Sequence, residues 1–116
     1  MDGAQAERLA RQFLEARGLC WQAANFRTRR GEIDLIMRDN HVLVFVEVRS
    51  RRSSRFGSAA ESITYQKIRR LQAAASAYLQ SRRLYNSAVC RFDVVAVETR
   101  GGEPPHIEWI KNAFTI

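Results

Sequence analysis

The stretch that decides the fold is GEIDLIMRDNHVLVFVEVRSRR, residues 31–52. Over residues 32–38 apolar side chains largely alternate with charged ones, and residues 42–48 are rich in valine, so both halves are typical of β-strands. Residues 39–41, with the sequence Asp-Asn-His, are suited to a tight turn. The stretch therefore predicts a β-hairpin.

The predicted hairpin brings two carboxylates together. If Asn40 and His41 are the two turn residues, paired positions have numbers that sum to 81, and Asp34 lies opposite Glu47. Their Cβ atoms would then be about 5 Å apart. Because like charges directly opposite each other destabilise a hairpin, a cation held between them is one explanation of the pair. Arg49, two residues beyond Glu47, shares its face of the strand.

Mg²⁺ or Mn²⁺ suits such a pair, since a hard cation takes carboxylate oxygens, keeps several waters and leaves positions for phosphate oxygens. Such an ion also lowers the pKa of a bound water and screens phosphate charge. The alternative is a solvated hairpin whose acids pair with Arg38, Arg49 or Arg51. The spacing Asp-x12-Glu-x-Arg is weak by itself, so the metal hypothesis depends on the paired strands and on the basic residues beside them.

The charge of the chain indicates a polyanionic partner. Nineteen Lys and Arg against twelve Asp and Glu give a net charge of +7, and all but two of the cations are Arg. The guanidinium group suits forked contacts with phosphate. We expect nucleic acid to be bound by Arg27, Arg29 and Arg30 before the hairpin, by Arg51, Arg52 and Arg55 after it, and by Lys67. The alternative is a soluble, Arg-rich surface with no such partner.

Two helices and three more strands are predicted around the hairpin. The first helix begins at Asp2 and ends near Arg17, and the second runs from Thr64 to about Arg82. The strands cover residues 19–26, 91–97 and 106–110, and residues 50–58 are predicted to form a polar loop. The 116 residues thus predict a single domain, 1–116, of the α/β class with the order α-β-β-β-α-β-β.

The sequence also predicts roles for several single residues. Glu7 lies at the edge of the first helix's apolar stripe and Lys67 near the edge of the second, so both can reach the sheet surface. The alternative for Glu7 is an i,i+4 pair with Arg11. Gly31 permits a close backbone approach before the hairpin. Asp93, in a predicted strand without metal-ligand spacing around it, is interpreted as the structural partner of an arginine.

Other classes of protein fit the sequence less well. Cys20 and Cys90 belong to no Cys/His cluster, which argues against structural zinc and a disulfide framework. Motifs of P-loop, dinucleotide-binding, α/β-hydrolase and zinc-protease sites are absent from the sequence. The chain has no apolar signal-peptide core, and its longest apolar run, residues 42–46, is too short to span a bilayer. We therefore expect a cytoplasmic protein with no membrane partner.

Four motifs together resemble one known family. They are N-F-R-(x)3-G-E-I-D-L-I at 25–36, V-F-V-E-V-R at 44–49, T-x-x-K at 64–67 and R-F-D-V-V at 91–95. The chain resembles the YraN family of small bacterial proteins over nearly its whole length. That family is similar to archaeal Holliday junction resolvases and to the wider restriction-endonuclease-like superfamily.

The resemblance implies a restriction-endonuclease-like core, with a central mixed five-stranded sheet flanked by helices. It implies that Glu7, Asp34 and Glu47 are ligands of Mg²⁺ or Mn²⁺. Asp34, Glu47, Arg49 and Lys67 would then form the catalytic set, with Arg49 and Lys67 contacting phosphate. Arg49 stands where the superfamily pattern has Lys, and Arg cannot act as a base because it stays protonated.

The function expected from the resemblance is a metal-dependent endonuclease that acts on DNA, with branched DNA suggested by analogy with the resolvases. One alternative is a non-catalytic nucleic-acid-binding module that retains the nuclease fold, for which Arg49 is the main argument. Another is an interaction protein whose basic face docks on an acidic partner. No recognition helix stands out, so backbone and shape recognition is expected rather than sequence reading. A homodimer stays open, since symmetrical cutting of a two-fold junction needs two active sites.

Overall fold

The computed structural model describes residues 2–51, 63–84, 88–99 and 101–114. Within these ranges the chain forms helices α1 (Gly3–Ala16) and α2 (Tyr65–Ser81) and strands β1 (Cys20–Arg27), β2 (Glu32–Asp39), β3 (Val42–Arg51), β4 (Val89–Glu98) and β5 (His106–Phe114). The predicted α/β class and the order α-β-β-β-α-β-β are confirmed.

The five strands form one mixed sheet in the order β1-β2-β3-β4-β5. Strands β3 and β4 are parallel, and the other neighbours are antiparallel. The chain between the parallel strands contains α2, because a parallel pair needs a long crossover connection. The β2–β3 pairs run from Asp39↔Val42 to Leu35↔Val46, which confirms the predicted register. Asp34 and Glu47 are the next residues beyond the last of these pairs.

Both helices begin at the predicted capping residues. Asp2 Oδ1 accepts a hydrogen bond from the Gln5 N–H at 2.8 Å, and Gln5 Oε1 accepts one from the Asp2 N–H, which completes a capping box. Thr64 Oγ1 accepts from the Lys67 N–H at 3.1 Å, so Lys67 lies in the first turn of α2. Neither helix of the described ranges is long and apolar enough to cross a membrane.

The core lies on both faces of the sheet. Side chains of β3 alternate between the two faces, so Val44 and Val46 pack with α1 while Leu43 and Phe45 pack with α2. The residues that α1 buries are Ala6, Ala10 and Leu14, and those that α2 buries are Leu71, Ala74, Ala75, Tyr78 and Leu79. The helices thereby cover opposite faces and leave the ends of the strands to carry polar side chains.

Strand β3 extends further than the sequence predicts. Residues 50 and 51 were expected in the polar loop, but Ser50 pairs with Val97 and Arg51 with Glu98 in the parallel ladder. Strand β5 is also longer than predicted and ends at Phe114. In both cases pairing with β4 supplies hydrogen bonds that local composition does not reveal.

The turn between β1 and β2 rests directly on α2. Thr28 Oγ1 accepts hydrogen bonds from the N–H groups of Arg30 and Gly31, each at 3.1 Å, so the turn is closed on itself. A Cβ atom at Gly31 would overlap the backbone carbonyl of Arg70. The predicted close approach at Gly31 is confirmed, and the neighbour it approaches is the α2 backbone.

Asp93 holds β5 against β4. Its carboxylate is fully buried and accepts hydrogen bonds from Arg91 Nε at 3.0 Å, Trp109 Nε1 at 3.0 Å and the Asn112 N–H at 2.9 Å. Arg91 also pairs with Asp39 at 3.0 Å, which ties in the end of β2. The interpretation of Asp93 as a structural partner of an arginine is confirmed.

Candidate functional site

The site begins with two carboxylates on neighbouring strands. Asp34 Oδ2 accepts a hydrogen bond from the Val48 N–H at 2.8 Å, which holds Asp34 across from the end of β3. The side chains of Asp34 and Glu47 lie within hydrogen-bonding reach of each other, and this contact raises the pKa of Glu47. Two carboxyl groups can form a hydrogen bond only when they share a proton. The predicted hairpin register therefore does bring the two acids together.

The environment of Glu47 disfavours a negative charge on its side chain. Only 6% of its side chain is exposed, and burial is the main reason that its pKa rises from 4.5 to about 8. The negative charge of Asp34 raises the pKa further, while the positive charges of Lys67 and Arg49 oppose the rise. No group of the described residues donates a hydrogen bond to the buried Glu47 Oε2. Lys67 Nζ is 3.6 Å from that oxygen.

Glu7 approaches the same acids from α1. Burial, followed by the negative charge of Asp34, raises its pKa, while a hydrogen bond with the Asn25 side chain lowers it. The alternative pair with Arg11 is not the one that forms, because Arg11 Nε lies 3.3 Å from Glu15 and its guanidinium stacks on Trp21. Glu7 is thus free of a helix-surface ion pair and is turned toward the sheet.

Asn25 is a site residue that the sequence reasoning missed. It lies in β1 between Ala24 and Phe26, which pair with Leu35 and Ile33, and this places it beside Asp34. Its φ angle is +53°, in the left-handed region where Asn is enriched among non-glycine residues. Backbone of this kind is concentrated at functional sites. The available signal was an Asn, a poor strand former, inside an otherwise strand-like stretch.

The donor chemistry fits a hard divalent cation. Asp34 and Glu47 offer paired carboxylate oxygens, one of them buried without a hydrogen bond, and such oxygens are the ligands that Mg²⁺ and Mn²⁺ prefer. In the part of the chain that the structure describes, no three Asp, Glu, His or Cys side chains are already grouped as a metal site. Glu7 is near enough to interact with Asp34 and is held by Asn25. The preformed donor set is therefore the pair, with Glu7 beside it.

Basic side chains border the acids on the α2 side. Lys67 contacts Glu47, and Arg49 is close enough to lower the pKa of Glu47. A cleft of about 380 Å³ lies next to Lys67, and we call it the turn cleft: its lining consists of residues 27–32, Lys67 and Arg70. It collects the predicted Arg27, Arg29 and Arg30. Arg70 was not predicted, because its place depends on which turn packs against α2.

The basic residues predicted after the hairpin are placed differently. The Arg51 guanidinium is directed into the protein: its side chain is 20% exposed and its Nε is 3.9 Å from the buried Glu98. Arg52 and Arg55 lie outside the described residues. The structure thus places Arg49 and Lys67 beside the acids and the turn arginines in the adjoining cleft, whereas Arg51 pairs with an acid at the end of β4.

Comparison with known proteins gives a consistent result over almost the whole chain. A UPF0102 protein of Pseudomonas aeruginosa (strain LESB58) is 48% identical over 113 residues, which are 97% of this chain and 90% of the relative. A UPF0102 protein of Nitrosococcus oceani is 49% identical over 114 residues, with 98% and 91% covered. A UPF0102 protein of Yersinia pseudotuberculosis serotype O:1b is 51% identical over 113 residues, with 97% and 92% covered.

The family model described as "Uncharacterised protein family UPF0102" matches residues 6–97. These residues include most of α1, the hairpin, all of α2 and all of β4 except its last residue, and therefore every candidate residue from Glu7 to Arg70. The chain belongs to the UPF0102 family, which is the YraN family whose motifs its sequence resembles.

Proposed function

We propose that the protein is a metal-dependent endonuclease that hydrolyses phosphodiester bonds in DNA. The observation that carries the proposal is the Asp34–Glu47 pair, in which a buried carboxyl group has a pKa of about 8 and an oxygen that accepts no hydrogen bond from the described residues. A carboxyl pair contributes little to stability in this state, since burying an unpaired polar atom costs about 1 to 3 kcal/mol. A bound cation would satisfy that oxygen and replace the shared proton.

The protein's own residues have distinct parts in this proposal. Asp34 and Glu47 would hold the cation, and Glu7 would complete the ligand set from α1. When bound, the cation supplies Lewis-acid activation of water and neutralises phosphate charge. Arg49 and Lys67 bind the phosphate oxygens and stabilise the negative charge that develops on them. Neither is assigned as a base: Arg49 remains protonated, and Lys67 is beside the carboxylate of Glu47.

The proposed partner is DNA, recognised through its backbone. The basic residues that border the acids are suited to phosphate contacts, which fix position without reading sequence. The resemblance to the resolvases makes branched DNA the first substrate shape to examine. Symmetrical cutting of a four-way junction would require a homodimer that presents two sites.

A second candidate function is a non-catalytic nucleic-acid-binding module. Two observations favour it: Arg49 occupies the position of the superfamily's Lys, and the described residues hold no preformed group of three metal-binding side chains. In that case the acids would matter little for DNA binding, while loss of the turn arginines would weaken it with a strong dependence on salt.

The experiment compares cleavage of labelled linear, single-stranded, flapped and four-way-junction DNA in Mg²⁺, in Mn²⁺ and in EDTA. We expect metal-dependent cutting by the native protein and at least a hundredfold loss in Asp34→Asn and Glu47→Gln. Glu15→Gln is the matched control, because Glu15 is an exposed acid of α1 that pairs with Arg11 away from the site. It should cut at the native rate.

A readout that does not need activity is the thermal shift produced by the cations. Mg²⁺ or Mn²⁺ should raise the Tm of the native protein and of Glu15→Gln, and this rise should vanish in Glu47→Gln, because ligands stabilise the state that binds them. Cleavage that persists in either site variant would refute the assignment. Tight DNA binding without cutting by all four proteins would establish the non-catalytic module instead.

A further inference from the structure

The turn cleft is rich in positive charge, and only part of that charge is paired with acids of the described residues. Arg27 pairs with Glu32 at 3.1 Å, and Lys67 pairs with Glu47. Within the described residues, Arg29, Arg30 and Arg70 form no ion pair with an acid. These guanidinium groups line one cavity of about 380 Å³ together with Lys67. Such a concentration of cations in a concave site attracts an anion.

The walls of the turn cleft are held in place before any ligand arrives. One wall is the β1–β2 turn, which Thr28 closes through hydrogen bonds to the N–H groups of Arg30 and Gly31. The other wall is α2, and the two walls meet where Gly31 lies against the Arg70 backbone. Fixed walls reduce the entropy lost on binding, so the arginines need only adjust their side chains.

The turn cleft is continuous with the acid pair through one residue. Lys67 lines the cleft, and its Nζ lies 3.6 Å from Glu47 Oε2. An anion in the cleft would therefore be a near neighbour of a phosphate held at Asp34 and Glu47. Successive phosphates of a single nucleic-acid strand are neighbours of this kind, whereas an isolated small anion would use only one of the two places.

We propose that the turn cleft is a second phosphate subsite, which binds the backbone phosphate next to the one at the acid pair, and that Arg70 is one of its binding residues. This inference rests on the proposed function for the identity of the strand, but binding in the cleft needs no metal and no cleavage. The ligand class is a phosphodiester of a nucleic-acid strand. Arg70 acts together with Arg30 across the cleft.

The test uses Arg70→Gln and Arg69→Gln in the full chain. Both arginines are exposed neighbours on α2, but Arg69 lies 5.9 Å from the Tyr65 ring and does not line the cleft. The probe is a fluorescein-labelled single-stranded oligonucleotide, with binding measured by anisotropy in EDTA over a series of salt concentrations. We expect Arg70→Gln to weaken binding about tenfold and to reduce the salt slope by about 1, which corresponds to one lost phosphate contact.

Arg69→Gln should change the affinity by less than about twofold, since an exposed charge outside the cleft makes no fixed phosphate contact. Arg30→Gln, on the opposite wall, should match Arg70→Gln. A second series replaces one phosphate at a time with a neutral methylphosphonate. One linkage should weaken native binding about tenfold and have no effect in Arg70→Gln, because each change removes the same contact.

Equal losses in Arg69→Gln and Arg70→Gln, or the absence of a linkage whose effect depends on Arg70, would overturn the subsite. No binding by the native protein would overturn it as well. Failure of the proposed function would be seen separately, as a lack of metal-dependent cutting by a protein whose cleft still shows the Arg70-dependent linkage. If the native protein cuts DNA but shows no such linkage, the proposed function would stand and the subsite would be overturned.

Discussion

Two buried acids of this sheet, Asp93 and Glu47, have opposite surroundings. The Asp93 carboxylate accepts hydrogen bonds from Arg91, Trp109 and Asn112, and both of its oxygens are used. The Glu47 carboxyl group lies against that of Asp34, and its Oε2 accepts no hydrogen bond from the described residues. The hydrogen bonds of Asp93 hold β5 against β4. Glu47 has a charged neighbour, Lys67 Nζ at 3.6 Å, but leaves a buried oxygen with the capacity to accept a hydrogen bond or a cation.

The largest effect on this difference between the two acids is expected from a substitution at Asp93. Asp93→Asn should lower the free energy of unfolding by about 3 kcal/mol or more, because it removes the charge that pairs with the partly buried Arg91. The measurement is urea denaturation followed by circular dichroism. If the acid is structural, Mg²⁺ should stabilise the variant by as much as it stabilises the native protein. A decrease in the free energy of unfolding of less than about 1 kcal/mol would show that Asp93 does not hold β5 against β4.

A second prediction uses the pH dependence of Glu47. Its pKa is about 8 in the folded protein and 4.5 normally, so the folded state holds a proton that the unfolded state releases between these values. Metal-free stability should therefore be greatest near pH 4.5 and should fall as the pH rises toward 8. The fall should be about 4 kcal/mol, since each unit of pKa difference corresponds to about 1.4 kcal/mol and the value of about 8 already includes the opposing charges of Lys67 and Arg49.

Glu47→Gln should remove most of this dependence, because the amide cannot titrate. Urea denaturation of both proteins at pH 5.5 and pH 8 in EDTA measures the difference, and Glu15→Gln serves as the control that keeps the native slope. Equal slopes in the native protein and in Glu47→Gln would contradict the raised pKa. A raised pKa would then no longer distinguish Glu47 from Asp93.

The smallest expected effect concerns Asn25, which positions Glu7. Asn25→Gly keeps the left-handed backbone, while Asn25→Ala must adopt it at a cost of about 1 kcal/mol. Both variants lose the hydrogen bond to Glu7. We therefore expect Ala to be less stable than Gly by about that amount in urea denaturation. Both should bind Mn²⁺ a few times more weakly than the native protein in calorimetric titrations. Native Mn²⁺ affinity in Asn25→Gly would exclude the positioning role.

The parts of the molecule that were predicted from the sequence depend on local patterns. The hairpin register and the acid pair follow from a period of two residues and a two-residue turn, and the caps at Asp2 and Thr64 follow from side chains that bond nearby N–H groups. The structural part of Asp93 and the close approach at Gly31 were also predicted. All of these need little knowledge of distant contacts.

The parts that were missed depend on contacts between distant segments. Arg51 stays a predicted nucleic-acid contact, but the sequence did not show that the parallel register of β3 with β4 places it beside Glu98. Arg70 enters the turn cleft only because the β1–β2 turn packs on α2. Asn25 stands out in the sequence only as a poor strand former, and its contact with Glu7 depends on how α1 packs on the sheet. Periodicity within one segment contains none of this information.

Gly31 sets the shape of the turn cleft, whereas the arginines that line the cleft set its charge. Substitutions at Arg29, Arg30 or Arg70 would change how strongly the turn cleft attracts an anion, yet they would leave the two walls where they are. Any side chain at Gly31 would push the turn off α2 and widen the whole cleft. The number of arginines could therefore be changed without altering the width of the turn cleft, because that width is set at a single backbone contact.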